Sequence, residues 1–279
     1  MNRNPVTRDR GWRLFVRSVF ARAYPRVIGL TREPAWVFSE IFLPFIATVG
    51  YIYVYRAINA PEEFVGFAVL GGAMTAFWLN VMWGMGTQLY WDKEAGNLPL
   101  YIMSPTSLMS ILLGMALGGM VSTCLRAGVI ILLGTLLFQI PFAISSFLQL
   151  FAVFTLTMAS LYGLGMVLAS AFLLFGREAW QVVQVLQEPI YFVSGFYFPI
   201  KTFGMAASLV FSFLPLTLGM DAMRQLVFKN GATLGLLSVQ IEIAILFGLA
   251  IFFILFAYLS LRFIERKAMQ EGTLTDRRG

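Results

Sequence analysis

Runs of apolar residues separated by short polar breaks dominate the chain, near 36–55, 64–90, 107–138, 146–175, 179–199 and 240–263. An apolar helix needs about 20 residues to cross the hydrocarbon core of a bilayer, and these runs have that length. Barrel strands would instead show segments of about ten residues with strict alternation, which these runs lack. The pattern predicts an all-α integral membrane protein with six transmembrane helices, its membrane domain covering 36–263.

Two segments outside the runs carry their own periodicity. Over residues 9–24, Trp12, Phe15, Val16, Val19 and Ala23 recur on one side at helical spacing, with Arg10, Arg13 and Arg17 on the other. This predicts an amphipathic interface helix lying along the membrane surface. The stretch 199–240 is too apolar for a solvated loop, yet Pro199 and Pro215 divide it into pieces too short to cross. Short re-entrant helices are predicted over 201–226, a form tolerated where irregular backbone is buried in protein or lines a cavity.

Composition removes most alternatives. The chain is 59% hydrophobic and 12% charged, far from the balance of a water-soluble domain. It has no histidine, and its one cysteine, Cys124, lies in an apolar run and reads as a small buried hydrophobe. No disulfide framework or Cys-based metal site can form within the chain. The net charge of +6 is concentrated at the ends: eight arginines fall within 1–32 and five basic residues follow Leu261. That distribution sets topology and touches anionic lipid, and it does not suggest nucleic acid. With both termini in the cytoplasm, inner segments hold 15 of the 20 basic residues, which fixes a multi-pass orientation in the cell inner (plasma) membrane. Residues 1–35 and 264–279 are then cytoplasmic tails.

Catalytic motifs are missing. A P-loop needs a lysine after glycine and before a hydroxyl residue, and none of the four lysines has that setting. No GxSxG elbow or HExxH pair occurs. The polar residues inside the runs are the remaining candidates. Gln181, Gln184, Glu188 and Tyr191 share a face of the fifth run, and Asn80, Trp83, Thr87 and Tyr90 form a stripe in the second. Each reads either as a pathway wall or as polar packing between helices. Arg126 either snorkels to outer headgroups, pairs with Glu188 or meets an anionic cargo. Gly114 and Gly118 form a close-packing motif.

Two further constellations are Trp91 to Pro105, between the second and third runs, and Ser194 to Pro199 followed by Pro215 to Arg224. Together they resemble the type-2 family of ABC export permeases. That family shows an E-x-G-x-L run ending in S-P, matched by Glu94, Gly96, Leu98, Ser104 and Pro105. It also shows S-G-x-x-[FY]-P, then N-P-L-T with a D-A-x-R tail, matched by Ser194, Gly195, Phe198, Pro199, Pro215, Leu216, Thr217, Asp221, Ala222 and Arg224. Leu214 stands where the asparagine is usual.

The resemblance implies a coupling helix over 92–105, with Asp92, Lys93, Glu94, Leu98 and Tyr101 against a separate ATPase subunit. The interface helix, with Trp12, Arg13, Phe15 and Arg17, would lie beside it. It implies two permease chains, identical or homologous, with two ATPase chains that carry the ATP and magnesium. Gly195, Phe198, Pro199, Pro215, Asp221 and Arg224 would form an extracellular gate. A drug, antibiotic or lipid-like amphiphile is the expected cargo. A polysaccharide exporter and an ATP-independent secondary transporter are the alternatives.

Overall fold

The computed structural model describes residues 11–32, 34–229 and 231–271, and among these every regular element is helical. Helix α1 (Trp12–Arg32) leads into α2 (Pro34–Ala57), and α3 (Glu63–Leu79) returns through a π-helical stretch at Asn80–Gly86. Two short helices follow, α4 (Gln88–Glu94) and α5 (Leu98–Met103). A long hairpin of α6 (Leu108–Phe138) and α7 (Phe147–Phe175) precedes α8 (Arg177–Val193). A 3₁₀ turn at Ile200–Phe203, α9 (Met205–Phe211), α10 (Pro215–Val227) and α11 (Gly231–Leu234) lead to α12 (Val239–Glu271).

Helix ends follow local chemistry. Ser107 caps α6 by accepting from the Ser110 amide at 3.2 Å, and Glu265 of α12 accepts from the Leu108 amide at 2.6 Å. Two of the amides that an α-helix leaves unpaired are thereby satisfied, and the start of α6 is tied to the end of α12. This end of the bundle, which also carries α1, is the proximal end.

Among the described residues, five helices are long and apolar enough to cross a membrane, or six if α9 and α10, bent by 116°, count as one span. Helix α8, expected as the fifth span over 179–199, is not among the five. It has 17 residues, and Arg177, Glu178 and Glu188 interrupt its apolar pattern. It nonetheless runs the length of the bundle. Its N-cap, Gly176, faces the Tyr90 ring at the proximal side, whereas Tyr197, just past its end, stacks on Tyr51 at 3.7 Å near the distal end of α2. Helices α9 and α10 dip inward. Phe213 between them meets Phe252 and Phe253, with ring centroids 6.0 and 5.7 Å apart. That contact lies roughly 20 Å along α12 from Val239, at about 1.5 Å per residue. By Leu226 and Val227 the chain is back at the distal end, where their carbonyls accept from the Ser145 and Ala143 amides at 2.9 and 2.8 Å.

Helix α3 occupies the centre and is buried from Gly66 to Trp78 apart from Leu70. Its glycines permit this: a Cβ at Gly71 would fall 1.7 Å from the Phe196 carbonyl oxygen. Gly114 and Gly118 do pack closely, against α1, where added Cβ atoms would meet the Val19 and Ala23 carbonyl oxygens at 2.4 and 2.7 Å. The apolar side of α1 is thus partly spent on α6. Trp12 is left exposed, and Arg10 lies outside the described residues. Cys124, expected to be buried, is exposed on the outer face of α6, because the helix is buried mainly along its opposite side.

Candidate functional site

At the proximal end, α4 and α5 form a helical turn that projects from the bundle. A single helix over 92–105 is not what forms. Gly96 takes φ +76°, a left-handed conformation that glycine adopts at little cost, and it breaks the segment in two. The Asn97 amide then closes on the Asp92 carbonyl at 2.8 Å, and Leu98 is buried under the turn. Ser104 ends α5 in extended backbone, its hydroxyl donating to the Tyr101 carbonyl at 2.8 Å, and Pro105 follows. Glu94 is exposed and Lys93 half-buried. Trp91, Leu100 and Met103, which the sequence pattern did not single out, are large apolar side chains exposed at the tip.

This turn is fastened to α1. Asp92 is buried and accepts from Arg22 and from Gln88, each at 3.2 Å. The Arg22 guanidinium also sits 5.6 Å from the centre of the Tyr101 ring, and burial pushes that phenol's pKa up. Further along α1, Arg26 donates to the Gly84 carbonyl at 2.6 Å, inside the π-helical stretch. A π turn leaves carbonyls out of the regular ladder, so a side chain can take one. Burial pushes the Arg26 pKa down. The joint is therefore made by Val19, Arg22, Ala23 and Arg26. Of the interface residues read from sequence, Trp12 stacks on Phe15 at 5.6 Å, while Arg13 and Arg17 are exposed.

The π turn also reorders the stripe in the second span. Wider turns shift each residue after Asn80 off the α-helical register. Asn80 is buried, with its carbonyl oxygen accepting from the Tyr162 hydroxyl at 3.3 Å, and Thr87 is buried with its hydroxyl on the Trp83 carbonyl at 2.7 Å. Both sit inside helix packing. Trp83 does face open space: its indole donates to Gln187 at 2.7 Å, beside Gln184 and Glu188. A row of indoles, Trp83 to Trp180 at 4.7 Å and Trp180 to Trp91 at 5.8 Å, connects this wall to the proximal turn.

Between α2, α3, α6 and α8 lies a cavity of about 570 Å³. Its walls are mainly apolar, and the polar members include Glu40, Arg126, Gln187 and Glu188 with Ser39, Thr75 and three tyrosines. Arg126 does not snorkel and does not meet Glu188. It is 8% exposed, pairs with Glu40, and donates to the Ser122 hydroxyl at 3.1 Å. The reason is adjacency: α6 packs on α2, whereas α8 packs on α7. On α8, Gln181, Gln184 and Glu188 are exposed and Tyr191 is buried.

The distal end is held by Arg224. Gly195, at φ +67°, starts a tight turn after α8, and the Arg224 guanidinium donates to the carbonyls of Gly195, Phe196 (2.9 Å) and Phe198 (3.0 Å). Its cationic face lies 5.0 Å from the Phe67 ring. The Tyr55 hydroxyl adds a bond to the Tyr197 carbonyl at 2.7 Å. Asp221, one turn earlier on α10, accepts from Gln225 at 3.0 Å and from the Leu236 amide at 2.7 Å, so it holds the entry to α12. Pro199 and Pro215 are buried and open the 3₁₀ turn and α10 respectively.

A bundle of apolar spans with an open cavity in its side, a helical turn projecting at one end and a dipping hairpin at the other is the build of a multi-pass membrane transport subunit. The sequence model of the ABC-2 type transporter family matches residues 19–228, from the α1 joint through the distal hairpin. The chain belongs to that family and is an ABC transporter permease. No curated protein matches it.

Proposed function

We propose that this permease moves an amphiphilic cargo, such as a drug, antibiotic or lipid-like molecule, out of the cytoplasm or inner leaflet, driven by ATP hydrolysed in a separate ATPase subunit. The observation that carries this reading is the α4–α5 turn. It presents Trp91, Leu100 and Met103 to solvent on the same turn as the exposed Glu94 and half-buried Lys93, an arrangement suited to a protein groove. It is anchored behind by Asp92 to Arg22, so a push on the turn moves α1 with it. The indole row to Trp83 offers a route from the turn to the cavity wall.

In this scheme the proximal end is cytoplasmic, both termini lie there, and the protein sits in the inner (plasma) membrane. Two permease chains, identical or homologous, work with two ATPase chains, which bind the ATP and magnesium. The long exposed face of α8, from Gln181 through Glu188 to Phe192, supports a second chain packing at the cavity mouth. The Gly195 to Arg224 assembly would act as the outer gate. An aromatic, mostly apolar cavity favours an amphiphile over a hydrated polymer.

The test is affinity purification of the tagged chain from its native membranes in mild detergent, with ATP hydrolysis measured in the eluate. Hydrolysis is expected with the unaltered chain and its loss with Lys93→Ala and Glu94→Ala combined, both folded as judged by elution. No ATPase in either preparation would refute the reading.

A further inference from the structure

The charges around the cavity do not cancel. Among the described residues, three ionisable side chains other than tyrosine line it: Glu40, Arg126 and Glu188. Arg126 and Glu40 neutralise one another in an ion pair, and Arg126 is almost fully withdrawn behind it. Arg26, the next cation toward α1, is turned to the Gly84 carbonyl and is not part of the wall. Glu188 makes no hydrogen bond or ion pair among the described residues. An acid on a helix that runs the length of an apolar bundle and faces a cavity with no counter-charge is unlike one placed for packing. Glu188 shares the cavity wall with Tyr191 and Tyr197, so it stands among aromatic rings. Tyr51 stacked on Tyr197, with Phe192 and Phe198 alongside, completes that surround.

Resting on the permease reading above, we infer that the cavity takes cationic amphiphiles, with Glu188 as counter-charge and the aromatic rings holding the cation and its apolar body. Ring faces attract cations, most strongly where water is excluded. A cavity of about 570 Å³ holds a molecule of drug size. An anionic headgroup is disfavoured by the same geometry. It would have to displace Glu40 from Arg126 and leave that carboxylate without a partner.

The experiment uses two lipophilic ions of nearly the same shape and opposite charge, tetraphenylphosphonium and tetraphenylborate. Binding of each to the purified chain in phosphatidylcholine nanodiscs is measured by equilibrium dialysis against empty discs. Protein-dependent binding of tetraphenylphosphonium is expected, without competition from tetraphenylborate. Glu188→Gln should weaken it on the order of tenfold, the scale of a partly screened ion pair. Glu188 is exposed and unbonded, so this variant should melt as the unaltered protein does. Glu188→Lys should move the preference to tetraphenylborate. Equal binding by Glu188→Gln, preference for tetraphenylborate in the unaltered chain, or no binding of either ion would each overturn the inference. No ATPase takes part, so a failure here is separate from failure to recover an ATPase.

Discussion

Replacing Arg224 by methionine tests whether the two distal motifs are one structural unit. Methionine keeps much of the length and apolar stem but removes every donor. Three carbonyls, those of Gly195 and Phe196 buried and that of Phe198 partly buried, then lose the guanidinium at once. Each unsatisfied buried group costs about 1–3 kcal/mol. Against this, the variant no longer withdraws a guanidinium from water, since Arg224 is only 3% exposed in the protein. Three lost bonds, less that offset, leave an expected net loss of about 3–5 kcal/mol. For a chain of this size that corresponds to a fall in Tm on the order of 10 °C. Thermal unfolding in detergent, followed by tryptophan fluorescence, measures it. Arg224→Lys keeps the charge but lacks the planar fork, and should fall between the two. A methionine variant melting within about 2 °C of the parent would mean that the Gly195 to Phe198 turn holds itself, and that Arg224 is not its clamp.

Gly71→Ala should act at the same place by a steric route. Its Cβ would fall 1.7 Å from the Phe196 carbonyl oxygen, so α3 and the turn must separate, at a cost of about 1–3 kcal/mol or more, readable in the same melt. Arg22→Ala should cost less than the clamp variant. Its side chain is 33% exposed and Gln88 still donates to the buried Asp92, so the loss should be about 1–3 kcal/mol and Tm should fall by only a few degrees. Transport per ATP hydrolysed should nevertheless drop in reconstituted vesicles, because the turn is released from α1; unchanged stoichiometry would remove Arg22 from the transmission path.

Much of the fold was legible in the chain. Five of the six expected spans coincide with helices long and apolar enough to cross, because run length is a local property. Gly114 and Gly118 announced a close contact without naming α1 as the partner. The site was less legible. The stripe at Asn80 and Thr87 assumed regular α-helical spacing, and the π turn at Asn80–Gly86 broke that assumption in a segment whose hydropathy gives no sign of it. The segment 92–105 suggested one helix, although Gly96 was in view, since a glycine alone does not say whether its φ will be positive. Trp91, Leu100 and Met103 carry no signal in the pattern for a related reason: in an apolar chain, an exposed apolar residue is distinguished only by its position on the tip.

The sequence by itself determined that this is a helical membrane protein of the ABC-2 type, because the solvent a chain prefers follows from composition and run length, and the family motifs lie in contiguous stretches. Only the tertiary structure decided where the charges go. Arg126 had Glu188 as its candidate partner and took Glu40, 86 positions away. Arg224 reached back 26 to 29 residues to close a turn. Glu188 was left facing the cavity without a partner. Such choices depend on which helices become neighbours, and that is set by the fit of small residues against backbone, as at Gly71 and Gly114, over distances along the chain that no periodicity records.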